Sequence, residues 1–403
     1  MDRLTIDDVA LSGRSVLMRV DFNVPLKDGR VEDDTRIRAA LPSIQKVLND
    51  GGKLVLMSHL GRPKGKRRDE LSLKPVAGKL SEILGQEVAL APDCVGQETA
   101  KMVENLSQGQ AILLENLRFH PEEEANDPAF SRELAAFGEV YINDAFGTAH
   151  RAHASTQGVT KFIKECAAGY LMKAELEALG RLLESPERPF VAILGGAKIS
   201  GKIDVIHNLI TRVSHILIGG GMAYTFFRAL DKPVGKSLVE EDRIAVAYNL
   251  LTVAEHHHPM KKVEIVLPSD HVVADAIDAP SGDITPDATV PDGKMGVDIG
   301  PKTIASYSQV IMQAKTIFWN GPMGVFENPA FAKGTMEIAR AVAKATEQGA
   351  FSVVGGGDSV SALKQSGLQE SVSHVSTGGG ASLEYMAGKD LPGVMALTKA
   401  PKK

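Results

Sequence analysis

Short, almost unbroken apolar runs recur along this chain, and they end on residues such as Gly, Asn, Asp, His or Arg. In the first half they cover residues 16–22, 54–60, 87–91, 111–117 and 140–145. In the second half they cover 190–194, 215–218, 263–268, 316–319, 351–354 and 374–376. Helical stretches separate them, at 35–50, 75–84, 127–136, 203–212 and 241–256. A strand with one wet face alternates apolar and polar residues. These runs do not alternate, so both faces are covered, and the helices between them supply the cover. The pattern predicts an α/β chain of doubly wound parallel sheets. Eleven strands are too many for one comfortable twisted sheet, which predicts two domains. A length of 403 residues agrees with two or three domains, and 43% apolar residues fill their cores.

The division is predicted at 171–185. Residues 171–183 are rich in Ala, Leu, Glu and Lys, all strong helix formers, and Ser185-Pro186-Glu187-Arg188-Pro189 then stops the helix. This connector separates a domain at 1–170 from one at 186–387 and splits the strands five and six.

Ligands of open α/β sheets gather beyond the carboxyl ends of the strands. In the first half those positions hold Asp21 and Asn23, His59 and Arg62, Arg118, Asp144, and then His150, Arg151 and His153; Arg36 opens a helix. Asp21 and Asp144 are too few to pair these arginines. A small, multiply charged anion is the simplest common partner, held by forked guanidinium contacts.

The second half offers glycine turns. Gly195-Gly196-Ala197-Lys198-Ile199-Ser200-Gly201-Lys202 carries two lysines four apart, which would share a helix face if the helix has begun there. Gly219-Gly220-Gly221 is an open turn suited to a flat ring. Trp319-Asn320-Gly321-Pro322 leads to Glu327, and Asn320 and Glu327 suit polar ligand groups such as ribose hydroxyls. Val353-Val354-Gly355-Gly356-Gly357-Asp358-Ser359 reads as strand, bare turn and helix start, and Thr377-Gly378-Gly379-Gly380 repeats the design. A helix start with no Cβ in the way presents free N–H groups to phosphate. Asp358 then calls for a cation such as Mg²⁺ between carboxylate and phosphate. On these residues alone a tight turn with Asp358 as helix N-cap stays open as well.

Other features exclude functions. A net charge of −5 gives no global basic field for nucleic acid or acidic lipid. The start lacks the apolar core of a secretion signal, and no run reaches the roughly 18 residues that span a bilayer. Cys94 and Cys166 have no CxxC spacing and read as buried thiols in a reducing compartment. No zinc spacing, nucleophilic cysteine or Ser/His/Asp order stands out. Lys64-Gly65-Lys66-Arg67-Arg68 reads as a solvated loop, and His256-His257-His258 as a surface cap.

Taken together, Val20-Asp21-Phe22-Asn23-Val24-Pro25, Trp319-Asn320-Gly321-Pro322 with Phe326-Glu327, and eight further stretches in order along the chain resemble the phosphoglycerate kinase family. The resemblance implies reversible phosphoryl transfer from 1,3-bisphosphoglycerate to ADP, giving 3-phosphoglycerate and ATP, with Mg²⁺. It implies a cytoplasmic monomer of two Rossmann-like domains on a helical hinge, with 388–403 returning to the first domain and no nucleic-acid or membrane partner. By match, Asp21, Asn23, Arg36, His59, Arg62, Arg118 and Arg151 bind the glycerate substrate. Lys202, Gly219, Gly220, Gly221, Gly296, Asn320, Glu327, Gly356, Gly357, Asp358 and Ser359 bind nucleotide. Asp358 ligates Mg²⁺, while Arg36, Lys198 and the N–H groups of Gly379 and Gly380 hold the moving phosphoryl. In-line transfer then follows hinge closure. One departure is visible: Ser359 stands where the family often has Thr, and the hydroxyl is kept. Two rivals predict other features. A nicotinamide dehydrogenase wants G-x-G-x-x-G, which is missing here. A non-catalytic nucleotide sensor would lack an equivalent of Arg36, Lys198 or Asp358, and all three are present.

Overall fold

The computed structural model describes residues 2–256 and 263–401. Two compact units divide the chain, Met1–Glu177 with Asp390–Lys403, and Ala178–Lys389.

The first unit is built on six parallel strands in the order Val88–Leu90, Ala111–Leu113, Lys53–Met57, Ser15–Val20, Val140–Asp144, Glu165–Ala168. The central strands are buried along almost their whole length, as a sheet covered on both faces requires. Val16, Met18 and Val20 pack with Ile37, Ile44 and Val47 of the helix Thr35–Asn49 in one core. Amphipathic spacing on that helix presents those apolar residues to the sheet. Strand order reverses beside the first strand: later strands add on one side at Lys53–Met57 and on the other at Val140–Asp144. A crevice forms at such a reversal.

The edge strand Glu165–Ala168 was not expected. Its Glu-Cys-Ala-Ala sequence has weak strand propensity, and pairing to Val140–Asp144 decides its conformation. The late segment 391–400 lies on this unit. Thr398 donates to Cys166 O, Leu4 to Thr398 O (2.9 Å) and Gly393 to Ala149 O (2.8 Å). A small hairpin, Leu26–Lys27 with Arg30–Val31, closes through Asp28-Gly29. Both turn residues have positive φ, as a two-residue turn matched to strand twist needs.

The second unit carries six parallel strands in the order Glu264–Val266, His215–Ile218, Phe190–Leu194, Thr316–Asn320, Phe351–Gly355, His374–Val375. In chain order this is 3-2-1-4-5-6, the Rossmann arrangement, with its crevice between Phe190–Leu194 and Thr316–Asn320. A three-stranded antiparallel sheet, Asp283–Ile284, His271–Ala274 and Met295–Ile299, adds a wall that periodicity did not reveal. Its strands are short, and Met295–Ile299 contains glycine and aspartate.

The helix Tyr170–Glu184 carries the boundary between the units. Among the described residues, no helix is long and apolar enough to cross a membrane. His256 ends the helix Ile244–His256 with Nδ1 2.9 Å from Thr252 O; His257 and His258 lie outside the described residues.

Candidate active site

In the first unit the sequence-predicted anion groups come together where the strands end. Arg36 Nη1 meets Asp21 Oδ2 at 2.7 Å. Asn23 Oδ1 accepts from Gly61 N at 2.9 Å, tying the turn after Ser15–Val20 to the turn after Lys53–Met57. Arg118 lies in a 3-10 turn held by Asn116, whose Oδ1 accepts from Arg118 N. Its Nη1 donates to Gly61 O at 3.0 Å. Arg118 is nearly buried, and its Nε lacks a hydrogen-bond partner, with only Glu124 nearby at 3.4 Å. Arg62 is exposed on the Gly61 turn, with no carboxylate in ion-pair range among the described residues. Arg151 Nε lies 3.2 Å from His150 Nε2.

His59 shows what these groups do to one another. Burial first, then the charges of Arg19, Arg118 and Arg36, hold its imidazolium form well below the ordinary histidine value. His153 falls to about 4 through burial and then Arg118, Arg19 and Arg151. Four arginines therefore share one field with two histidines that stay neutral. The acids at hand are Asp21 and Glu124 at the margin and Glu123 at full burial beneath.

Asp144 does not join this set. It sits 1% exposed and accepts from Met172 N at 3.1 Å, and burial raises its carboxyl to about 6. It anchors the start of the helix Tyr170–Glu184.

Arg19 is the residue that sequence reasoning missed. Its side chain is buried, donating to Ser155 Oγ at 2.8 Å, to Val20 O and to His59 Nδ1 at 3.0 Å. Below it Glu123 accepts from the Ser155 hydroxyl at 2.6 Å. The available signal was a lone arginine inside the buried strand Ser15–Val20.

The second unit assembles phosphate-type groups at its own crevice. Lys202 Nζ donates to Asn320 Oδ1. Burial brings the Lys202 ammonium down to about 8, against the attraction of Asp358. Asn320 keeps its Nδ2 buried with no partner, lying under Gly356. Gly356 has φ +90°, and a Cβ there would stand 2.9 Å from that Nδ2, so both conformation and contact require glycine. Gly356 is also the N-cap residue of the helix Gly357–Gln365, which places Gly357 and Asp358 in its first turn. Asp358 is therefore not the N-cap, because Gly356 takes that place and makes no side-chain bond.

Ser359 differs from expectation in one respect. It is fully buried, and its Oγ accepts from Gly321 N, so the hydroxyl braces the next turn. Only its backbone belongs to the open helix start. Trp319 is likewise core. Its ring is buried and Nε1 donates to Gly321 O at 2.8 Å, fixing the same turn from the other side.

The expectation of a shared helix face for Lys198 and Lys202 fails, because the helix begins at Ile203. Both lysines sit in the loop before it, Lys198 exposed and Lys202 largely covered. The Gly379–Gly380 turn opens the short helix Gly380–Met386, with Gly379 at φ +52°.

A cavity of about 570 Å³ adjoins this crevice, bordered by Gly196, Gly220, Gly221, Gly296, Glu327 and Asp358 among others. Gly220 comes within 2.6 Å of the Gly196 backbone at a would-be Cβ, so the two glycine turns are in contact. Gly296 borders the same cavity, and these bare backbone segments lie among Leu238, Met295, Met323 and Val325, a mixed apolar lining suited to a planar ring. Tyr224 and His271 floor it, 3.2 Å apart through Oη and Nδ1. A larger cavity of about 890 Å³ lies along the Glu264–Val266 edge, bordered by His215, Phe227, Lys232 and Leu251, and none of the phosphate-type groups borders it.

An unpaired amide donor, a buried ammonium and an open helix start with a carboxylate in its first turn fit a phosphate chain carrying a hard cation. Carboxylate and phosphate oxygens are the ligands such a cation takes. Asp358 is the residue that could hold it.

Comparison with known proteins gives a consistent result. The family profile described as phosphoglycerate kinase matches residues 6–389. The phosphoglycerate kinase of Chloroherpeton thalassium is 57% identical over 401 residues, covering 99% of this chain and 100% of that protein. That of Chlorobaculum tepidum is 55% identical over 400 residues, covering 98% and 100%. The structure of phosphoglycerate kinase from Coxiella burnetii is similar with TM-score 0.88 at 41% identity, and that from Pyrococcus horikoshii with TM-score 0.84 at 32%. Each covers 98% of both chains.

Proposed function

The chain belongs to the phosphoglycerate kinase family, and from that premise we propose which of its residues carry the reaction. The reaction is reversible phosphoryl transfer between 1,3-bisphosphoglycerate and ADP, giving 3-phosphoglycerate and ATP.

The first unit is the 3-phosphoglycerate side. Asp21, Asn23, Arg36, His59, Arg62, Arg118 and Arg151 hold the glycerate and its stable phosphate. The observation that carries this reading is the surplus of guanidinium groups around His59, with the Arg118 Nε unsatisfied. A small trianion supplies the missing acceptors.

The second unit is the nucleotide side. Gly219–Gly221 and Gly296 face the base, and Asn320 and Glu327 the polar middle. Lys202 and the Gly356–Ser359 backbone hold phosphates, and Asp358 holds Mg²⁺. The ion neutralises charge on the nucleotide phosphates when bound. The support is the unpartnered Asn320 Nδ2 beside Lys202 and the cavity that reaches Asp358.

Transfer is in line between the carboxylate oxygen of the glycerate and the terminal ADP oxygen. Little covalent help is needed; positioning and charge stabilisation suffice. Arg36 meets the equatorial oxygens from one substrate side, and Lys198 with the Gly379 and Gly380 N–H groups from the other. Because the two sets belong to different units, the productive state forms on closure about the helix Tyr170–Glu184, which also sheds water. The reading extends to a cytoplasmic monomer without nucleic-acid or membrane partners, in keeping with two free cysteines and mild net negative charge.

The direct test couples 3-phosphoglycerate and ATP consumption to NADH oxidation through glyceraldehyde-phosphate dehydrogenase. Arg62→Ala should raise KM for 3-phosphoglycerate and leave that for ATP. A shift in the ATP value alone would place Arg62 on the wrong side.

A further inference from the structure

Apart from the groups collected above, Asp93, Cys94 and His120 stand together in the first unit. A carboxylate oxygen, the thiol sulfur and an imidazole nitrogen all lie within 4.8 Å of one another. The two segments meet after neighbouring strands, Val88–Leu90 and Ala111–Leu113. No linear spacing announces the group, since 25 residues separate Cys94 from His120. We propose that Asp93, Cys94 and His120 form a binding site for a divalent transition-metal ion of the zinc class.

The donor set decides the class. One sulfur, one nitrogen and one oxygen suit a borderline ion; Mg²⁺ and Ca²⁺ take oxygen alone. Bond lengths of about 2.0–2.3 Å place tetrahedral ligand atoms roughly 3.3–3.8 Å apart, so small side-chain rotations bring these atoms onto one ion. His120 Nε2 and Asp93 Oδ1 are 2.7 Å apart and share a hydrogen, whose place the ion takes. Three protein ligands leave one position for water.

The frame is built. Cys94 N donates to Asp93 Oδ1 at 2.6 Å, and Thr99 Oγ1 donates to Asp93 O at 2.9 Å. Arg67 donates to Pro92 O at 2.9 Å, so this arginine of the basic run is bound to the segment and is more than a solvated charge. The His120 ring stacks on Phe130 with centroids 5.3 Å apart. Cys94 is fully buried, while Asp93 and His120 reach solvent and leave an entry path.

Binding exchanges protons for metal. The thiol loses its proton to become thiolate, and a protonated His120 loses one more. Affinity therefore falls as pH falls. Bound metal would join the Pro92–Cys94 segment to the turn that carries Arg118.

The test is titration of the full-length protein with Co²⁺, without nucleotide and without thiol reductant. The expected result is a thiolate-to-cobalt charge-transfer band that saturates at a single equivalent per chain. Cys94→Ser should abolish the band. His120→Gln should weaken cobalt binding at least about tenfold, and Cys166→Ser should change neither. Zn²⁺ should displace cobalt and raise the Tm of the wild type but not of His120→Gln. Binding at other histidines gives no thiolate band. No band at saturating cobalt, a band that survives Cys94→Ser, or one lost in Cys166→Ser would overturn the proposal. If Cys94→Ser does not fold, His120→Gln decides: cobalt affinity equal to wild type in that variant also overturns it.

Discussion

The Arg19 guanidinium donates to Nδ1 of His59 across 3.0 Å, buried side chain to buried side chain. A guanidinium can only donate, so Nδ1 must accept, and the proton of the neutral ring sits on Nε2. On the proposed assignment, this leaves His59 a neutral Nε2–H donor toward the glycerate substrate. Arg19→Met should raise KM for 3-phosphoglycerate more than it lowers kcat, because Arg19 acts through His59. The His59 pKa should rise, since Arg19 is the largest charge opposing protonation. Nitrogen-15 shifts of the ring report tautomer and pKa together; an unchanged His59 signal in the variant sinks the idea. A stability loss of about 1–3 kcal/mol is also expected, because the buried Ser155 hydroxyl and Val20 carbonyl lose their Arg19 donor.

Lys202 gives a pH signature. Its ammonium sits at about 8 in the ligand-free protein, held down by burial. Below pH 8 the charge that attracts phosphate is present, and above it the charge is lost. The kcat/KM for ADP should fall as pH rises through about 8, since this ratio reports the free enzyme. Lys202→Met should lower kcat/KM throughout and remove that limb. A limb of the same shape in Lys202→Met would assign it to another group.

Arg36→Ala and Lys198→Ala should each reduce kcat by about 10²- to 10⁵-fold, the range for groups that stabilise charge in phosphoryl transfer. Thermal unfolding should show both variants folded. Near-normal kcat in either would remove that residue from the transition state.

Ser359 separates a structural hydroxyl from a ligand-binding one. Ser359→Ala leaves the buried Gly321 N–H without its acceptor and should cost about 1–3 kcal/mol. Ser359→Thr keeps the hydroxyl and should hold kcat near wild type. If Ser359→Ala unfolds like wild type while KM for ADP rises, the hydroxyl faces the nucleotide after all.

Gly356→Ala forces a side chain onto φ +90° and against Asn320 Nδ2 at 2.9 Å. Strain of about 1–3 kcal/mol is expected, along with a higher KM for ADP and little change for 3-phosphoglycerate. Equal loss toward both substrates would point to general unfolding, which calorimetry would reveal.

Much of this architecture was legible because parallel sheets write themselves as continuous apolar runs and place ligands at the strand ends. Hence Asp21, Arg36, His59, Arg118 and Arg151 could be collected before any coordinates. Arg19 escaped because it lies within the buried strand, where a sequence window reads its apolar neighbours. Glu165–Ala168 escaped because pairing, not propensity, makes it a strand. The role of Ser359 escaped for a different reason: a hydroxyl at a helix start looks the same in sequence whether it faces a ligand or the backbone of Gly321. Asp93, Cys94 and His120 escaped because only the order of neighbouring strands brings them together.

The pairing of Thr398 with Cys166 and of Leu4 with Thr398 also has a temporal meaning. A ribosome completes the whole second unit before it makes the segment that covers the edge of the first. During synthesis the first unit must wait, with Leu4 and Cys166 lacking these partners, until residues 391–400 emerge. Truncation near the carboxyl end should therefore unfold the region made first, and a circular permutant that joins 390–401 ahead of Leu4 should allow that unit to fold as it emerges.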